Sequence, residues 1–190
     1  MAKTAHDAND HQLLDRIARG DRVAIQSLFA RHHGRVYRFV VRQIGSETMA
    51  EEVANEVFLD VWRQAGRFEG RSQVSTWLLS IARNKAISAL RKRRDEQLDD
   101  DHASMLVDDE DNPEVVAQKH DKAAALRDVI EQLSPEHKAV IDLVYYHEMT
   151  VSEVSEVLDI PTNTVKTRMF YARKRLSELL EKAGIDRGWP

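Results

Sequence analysis

TVSEVSEVLDIPTNTVKTRMFYARKRL, residues 150–176, is the stretch on which the fold turns. Thr150 and Glu153 have the spacing of a capping box, in which a hydroxyl and a carboxylate satisfy open backbone donors at a helix start. This predicts a short helix ending near Leu158, and Asp159-Ile160-Pro161 then makes a turn. Val165, Met169, Ala172, Leu176 and Leu179 follow at helical spacing and predict a second helix with one buried stripe. Helix, tight turn, helix is the outline of a unit whose second helix enters a DNA major groove. Thr162, Asn163, Lys166, Thr167, Phe170 and Arg173 lie opposite the stripe, and the helix carries Lys166, Arg168, Arg173, Lys174 and Arg175 before its first acid, Glu178. A basic run is often only a solvated face. Here its position opposite a buried stripe favours DNA, because short polar residues donate to phosphates or base edges and cations neutralise the backbone.

Upstream, Leu126, Val129, Ile130 and Leu133 begin the same helical block. Ser134-Pro135 supplies a cap and an N1 proline ahead of Val140, Ile141, Leu143 and Val144. Before that block the pattern lapses. Ten acids and no Lys or Arg lie between Asp95 and Glu114, and without that stretch the chain has 28 Lys and Arg against 22 Asp and Glu. The net charge of −4 therefore conceals a basic remainder. Residues 95–120 read as a self-repelling linker with little to bury. As a chain of about 25 residues it would reach ~80 Å fully extended and ~30 Å as a relaxed coil, enough to join two sites one or two DNA turns apart.

A second helical block precedes the linker. Asp10 is a possible cap for a helix carrying Leu13, Leu14, Ile17 and Ala18, which Gly20 stops. Asp21 caps a longer helix with a stripe of Ile25, Leu28, Phe29, Val36, Phe39, Val40 and Ile44, with a kink expected at Gly34. Thr48 and Glu51 are spaced to open a third helix, with Val53, Val57, Val61 and Trp62 inward. A polar loop, residues 66–73, leads to a fourth helix capped by Ser75 and running to about Arg94. The expected fold is all-α: two small helical domains, residues 10–94 and 121–183, joined by the acidic linker 95–120.

The fourth helix ends in Arg91, Lys92, Arg93 and Arg94, and Ser80, Arg83, Asn84, Arg91 and Arg94 share an arc with Trp77 at its margin. Trp77 read alone is a core residue. Beside a Gly-containing polar loop, an aromatic, amides and cations also provide what single-stranded DNA needs, a stacking surface next to a phosphate track. On the third helix Glu52, Asn55, Glu56, Leu59, Asp60 and Arg63 face outward; a leucine among carboxylates suits a protein partner and an acidic face does not suit DNA. Catalysis has little support. The chain has no cysteine, its eight histidines form no HExxH pair, and its seven glycines form no GxGxxG or P-loop. No catalytic residue, metal or cofactor is expected. Residues 1–12 lack the apolar core of a signal peptide and no run reaches transmembrane length, so a cytoplasmic protein without membrane insertion is expected.

Residues 50–70 (AEEVANEVFLDVWRQAGRFEG), 75–94 (STWLLSIARNKAISALRKRR) and 133–176 resemble, in this order, the extracytoplasmic-function sigma factors of the sigma-70 family. The resemblance covers nearly the whole chain. It implies a first domain similar to sigma region 2, whose acidic helix docks on the clamp helices of the polymerase β′ subunit; Glu52, Asn55, Glu56 and Leu59 occupy that helix. It gives capture and melting of the −10 element as single-stranded DNA to Arg71, Trp77, Arg83, Asn84 and Lys85. It implies a region 4 domain reading the −35 element in the major groove through Thr164, Lys166, Thr167, Phe170, Tyr171 and Arg173. The linker would follow the RNA exit path. The implied partners are core RNA polymerase (β′ clamp helices and β flap), promoter DNA and an anti-sigma factor, in a stress or envelope response. The sequence departs from the family at Asn163, commonly glycine and still tolerant of left-handed backbone, and at Tyr171, where a basic residue is frequent. A stand-alone helix-turn-helix regulator with a helical sensor domain would explain the second block but leaves the basic fourth helix without a role.

Overall fold

The computed structural model describes residues 2–99 and 126–183, residue 127 excepted, and every regular element among them is helical. Most of the stretch expected to be a linker, from residue 100 onward, lies outside the described residues. The first block consists of α1 (Ala2–Ala18), α2 (Arg22–Ile44), α3 (Glu47–Gln64), a 3-10 turn (Ala65–Arg67) and α4 (Val74–Asp99). The second consists of a helical stretch at residues 128–131, α5 (Pro135–Ile141), a π-helical turn (Asp142–Tyr146), α6 (Val151–Leu158) and α7 (Thr162–Lys182).

Helix boundaries follow short-range chemistry. Gly20 and Gly45 take φ values of 83° and 73°, left-handed backbone that glycine adopts without a Cβ clash, and end α1 and α2. The Asp21 carboxylate accepts from the backbone N–H of Val23 and Ala24, at 2.9 and 3.1 Å. Ser134 caps α5 with Pro135 in its first turn, and Thr150 with Glu153 forms the expected capping box.

Three boundary expectations are corrected. Asp10 does not cap: α1 begins eight residues earlier, and Asp10, only 3% exposed, meets Arg31 at 2.8 Å and His32 at 2.7 Å on α2. A buried carboxylate needs such partners more than a helix start needs this one. Helix α3 is capped by Ser46, which accepts from Met49 N–H, so Thr48 and Glu51 lie inside the helix. Helix α4 starts at Val74, one residue before Ser75, and runs past Arg94 to Asp99, since neither glycine nor proline stops it and Asp95 follows Arg91 at a stabilising helical spacing. Helix α2 is continuous through Gly34.

The core is shared between blocks. In the first, Leu14, Ile17, Leu28, Phe39, Val57 and Leu79 are buried where α1 to α4 meet. Each such side chain contributes roughly 1.5–3 kcal/mol by leaving water. In the second, Val140, Leu143, Val154, Val157 and Val165 are buried between α5, α6 and α7. One apolar cluster runs through both, because α6 packs on α4 and α5 touches α2. Phe29 and Trp62, both expected inward, are 36% and 37% exposed: Phe29 stacks on His33 and meets Phe58 edge-on, and Trp62 remains at the rim of α3.

Candidate nucleic-acid and polymerase interfaces

Burial of Val165, Met169 and Ala172 fixes the rotation of α7 and so decides which residues it offers outward. Lys166, Thr167, Phe170, Tyr171 and Arg173 are exposed, and Thr164 is half-buried. Phe170 and Tyr171 are 65% and 54% exposed, a cost in apolar hydration that nothing in the helix itself offsets. Their rings meet edge-on at 5.4 Å. Asn163 is regular helix, so left-handed tolerance is not called upon there. Arg173 Nε donates to the Tyr145 hydroxyl at 3.0 Å, which holds the guanidinium on the outer side of α7.

The residues expected to take single-stranded DNA are not one open track. Arg71 is exposed and pairs with Glu69 in the loop before α4. Trp77 is half-buried and packs on Phe68, with centroids 5.1 Å apart, so it supports the loop as well as bordering the surface. Asn84 is exposed. Arg83 is half-covered by the second block, and burial lowers its guanidinium below the usual range, with Asp159 opposing and Arg168 adding to that shift. Lys85 reaches away from this arc to Glu56 at 3.2 Å and Asp60 at 2.9 Å on α3. Burial works against its charge, but the bonds to Asp60 and Glu56 prevail and raise its amine above the usual range.

On α3, Glu52, Asn55, Glu56 and Leu59 share the exposed face, with Leu59 55% exposed. Trp62 extends the apolar part of this face by one turn. The result is a leucine and a tryptophan framed by carboxylates, a surface suited to a protein groove with cations around it.

The sigma-70 region 2 model matches residues 28–96, and the sigma-70 region 4 model matches residues 129–178. The RNA polymerase sigma-H factor of Pseudomonas aeruginosa is 29% identical over 184 residues, covering 90% of this chain and 94% of its own. The ECF RNA polymerase sigma factor RpoE of Cereibacter sphaeroides is 30% identical over 159 residues, covering 83% of this chain and 87% of its own. The chain belongs to the ECF RNA polymerase sigma factors. A solved structure of CnrH in complex with the cytosolic domain of CnrY superposes with a TM-score of 0.67 at 25% identity, over 91% of this chain and 97% of that one.

As a sigma factor the chain is a DNA-binding transcription initiation factor, and the stand-alone regulator is set aside. One matched segment falls in each helical block, the first beginning within α2. Sequence reasoning missed Trp62 on the α3 face and Tyr145 behind Arg173. For Trp62 the signal was available: it lies three residues beyond Leu59 on the same side of the helix. For Tyr145 there was none, because it meets Arg173 28 residues later only once α7 has docked. No helix among the described residues is long and apolar enough to cross a membrane.

Proposed function

We propose that this sigma factor joins core RNA polymerase to its promoters through three surfaces on two domains, residues 10–94 and 121–183, connected by the segment 95–120. Glu52, Asn55, Glu56 and Leu59, extended by Trp62, dock on the β′ clamp helices, and the second domain meets the β flap. Arg71, Trp77, Arg83, Asn84 and Lys85 take the −10 element as a single strand. Thr164, Lys166, Thr167, Phe170, Tyr171 and Arg173 read the −35 duplex, and Tyr145 positions Arg173. Polymerase makes the phosphodiester bonds, so the chain is not itself an enzyme; its place is the cytoplasm, where it serves a stress or envelope response. CnrH is complexed with the cytosolic domain of CnrY, which supports an anti-sigma partner here.

The observation that carries this reading is the separation of surfaces: an acidic face with exposed Leu59 on α3, and a basic helix with exposed Phe170 and Tyr171 on α7. Glu52→Lys should therefore weaken binding to core polymerase while −35 binding stays unchanged. Glu56→Lys also removes one of the two carboxylates paired with Lys85, leaving Asp60, so it serves as a second variant and not the first. Lys166→Ala with Arg173→Ala should spare core binding and weaken −35-dependent transcription, by ~1–3 kcal/mol for each contact that is a bidentate base pair. Pull-down on core enzyme and abortive initiation on −35-mutant promoters measure the two. Core binding lost in the α7 variant and kept in the α3 variant would reverse the assignment.

A further inference from the structure

Where the two helical blocks meet, Arg42 Nε of α2 pairs with Asp142 Oδ1, Arg35 Nη2 donates to the His147 carbonyl at 2.7 Å, and α6 packs on α4. Beside these contacts lies a cavity of about 280 Å³. Its apolar wall is formed by Phe39 of α2, Ala86, Ile87 and Leu90 of α4, and Ala139 and Leu158 of the second block. Ile87 and Leu90 are 42% and 38% exposed, so they line its open side and stay in contact with water.

The polar lining is rich in donors. Arg83 of α4 and Arg168 of α7 reach the cavity from opposite blocks, and neither makes a hydrogen bond or ion pair among the described residues. Gln43 Nε2, on the same wall, is buried without a hydrogen-bond partner. Burial lowers the Arg83 guanidinium below its usual range, with Asp159 opposing the shift and Arg168 adding to it. Among the described residues Glu136 is the one acid of the lining. Its carboxyl is held below the usual range first by its own backbone N–H, against burial, then by Ser134 and only after these by Arg168. Each cation therefore has an acid within electrostatic reach, and neither has one in contact.

We propose that this cavity is the binding site of a small straight-chain aliphatic monocarboxylate, whose carboxylate is held by Arg83 and Arg168 with Gln43 as a further donor. Guanidinium forks match a carboxylate in geometry, and such charge-assisted bonds are the strong ones. Because Asp159 and Glu136 already offset part of the positive charge, the site suits one negative charge and not two. Its volume stands at the lower edge of small-molecule sites, about 300–1,000 Å³, which sets the occupant on the order of ten heavy atoms. The wall is mainly aliphatic, and the chain of the ligand covers Ile87 and Leu90. Water alone would satisfy the donors and leave that wall wetted; an apolar anion answers both. The geometry stands without the sigma-factor reading, and only the consequence rests on it. Arg83 serves the −10 strand in that reading, so an occupied cavity withholds it from DNA, and transcription answers directly to a metabolite.

Octanoate is the probe, titrated calorimetrically into the full-length protein. It should bind at one saturable site, while octanol, acetate and the dianion octanedioate at the same concentration should not saturate it. Arg168→Met should weaken octanoate by about tenfold or more, the loss of one charged hydrogen bond, and Gln43→Leu by less. Ala139→Leu, which fills the cavity, should abolish binding; circular dichroism confirms that the three variants keep their helices. Absence of saturable octanoate binding, or parent-like affinity in folded Arg168→Met and Ala139→Leu, overturns the site. Equal binding of octanol overturns the role of the arginines. Octanoate added before core enzyme should lower the run-off transcript yield of the parent and leave that of Ala139→Leu unchanged. An unchanged yield from the octanoate-saturated parent overturns the consequence. A chain that binds octanoate as described yet supports no transcription with core polymerase upholds the site and counts against the sigma-factor reading instead.

Discussion

His147→Gln isolates a balance of two opposing titrations inside the contact between domains. Burial, with Arg35, Arg42 and Arg38 nearby, pushes the His147 imidazole down from 6.5 to about 3, so the native protein excludes its charged form. Burial lifts the Asp142 carboxyl from 3.8 to about 6, with Arg42 opposing the shift incompletely. The two signs differ. The depressed His147 contributes stability that is present above its unfolded value of 6.5 and is lost as pH falls toward about 3. The raised Asp142 contributes stability that is complete below 3.8 and is lost as pH rises through about 6. Acidifying from neutral pH to pH ~5 should therefore cost the native state about 2 kcal/mol through His147 and return about 1 kcal/mol through Asp142, so that the two largely offset each other. Glutamine can still accept from an arginine through its amide oxygen but cannot titrate. The stability difference between parent and His147→Gln should thus move by about 2 kcal/mol in favour of the variant over that pH interval. Urea unfolding of both proteins across the range measures it, and titrations common to both cancel in the difference. Parallel pH profiles would refute the claim that the imidazole is buried uncharged among arginines.

Tyr145→Phe removes the acceptor of Arg173 and should weaken −35 duplex binding by roughly 0.5–1.5 kcal/mol with the fold unchanged; fluorescence anisotropy on the duplex would show it, and full-strength binding would remove Tyr145 from the site. Lys85→Met should destabilise the first domain by about 1 kcal/mol, because water screens the pair with Glu56, which is 60% exposed, while the pair with the mostly covered Asp60 at 2.9 Å is screened less. A larger loss in urea melts would make the Lys85 pairs structural. Thr150→Ala breaks the capping box of α6 and should cost ~1 kcal/mol, read as a lowered unfolding midpoint; no change would mean that packing of α6 alone fixes its start.

Much of the chain was legible before any coordinates. Asp21, Ser134-Pro135 and Thr150 with Glu153 announce their helices because a cap acts on backbone groups two or three residues away. The stripe Val165, Met169 and Ala172 announces the outer face of α7 for the same reason: helical spacing is a local property. Order and identity of the three motifs went further and located both family segments. Tertiary structure decided what depends on docking. Asp10 looked like a cap because Asp is a good one, yet its partners Arg31 and His32 lie more than 20 residues away. Lys85, assigned to a DNA strand by resemblance, turns to Glu56 and Asp60 because α3 and α4 pack side by side. Arg42 and Asp142 are 100 residues apart, and no periodicity or cap couples them. Sequence determined the helices and the faces they bury, since neighbours along the chain set both; which charged residues meet was decided by the fold, since an ion pair depends on distance in space.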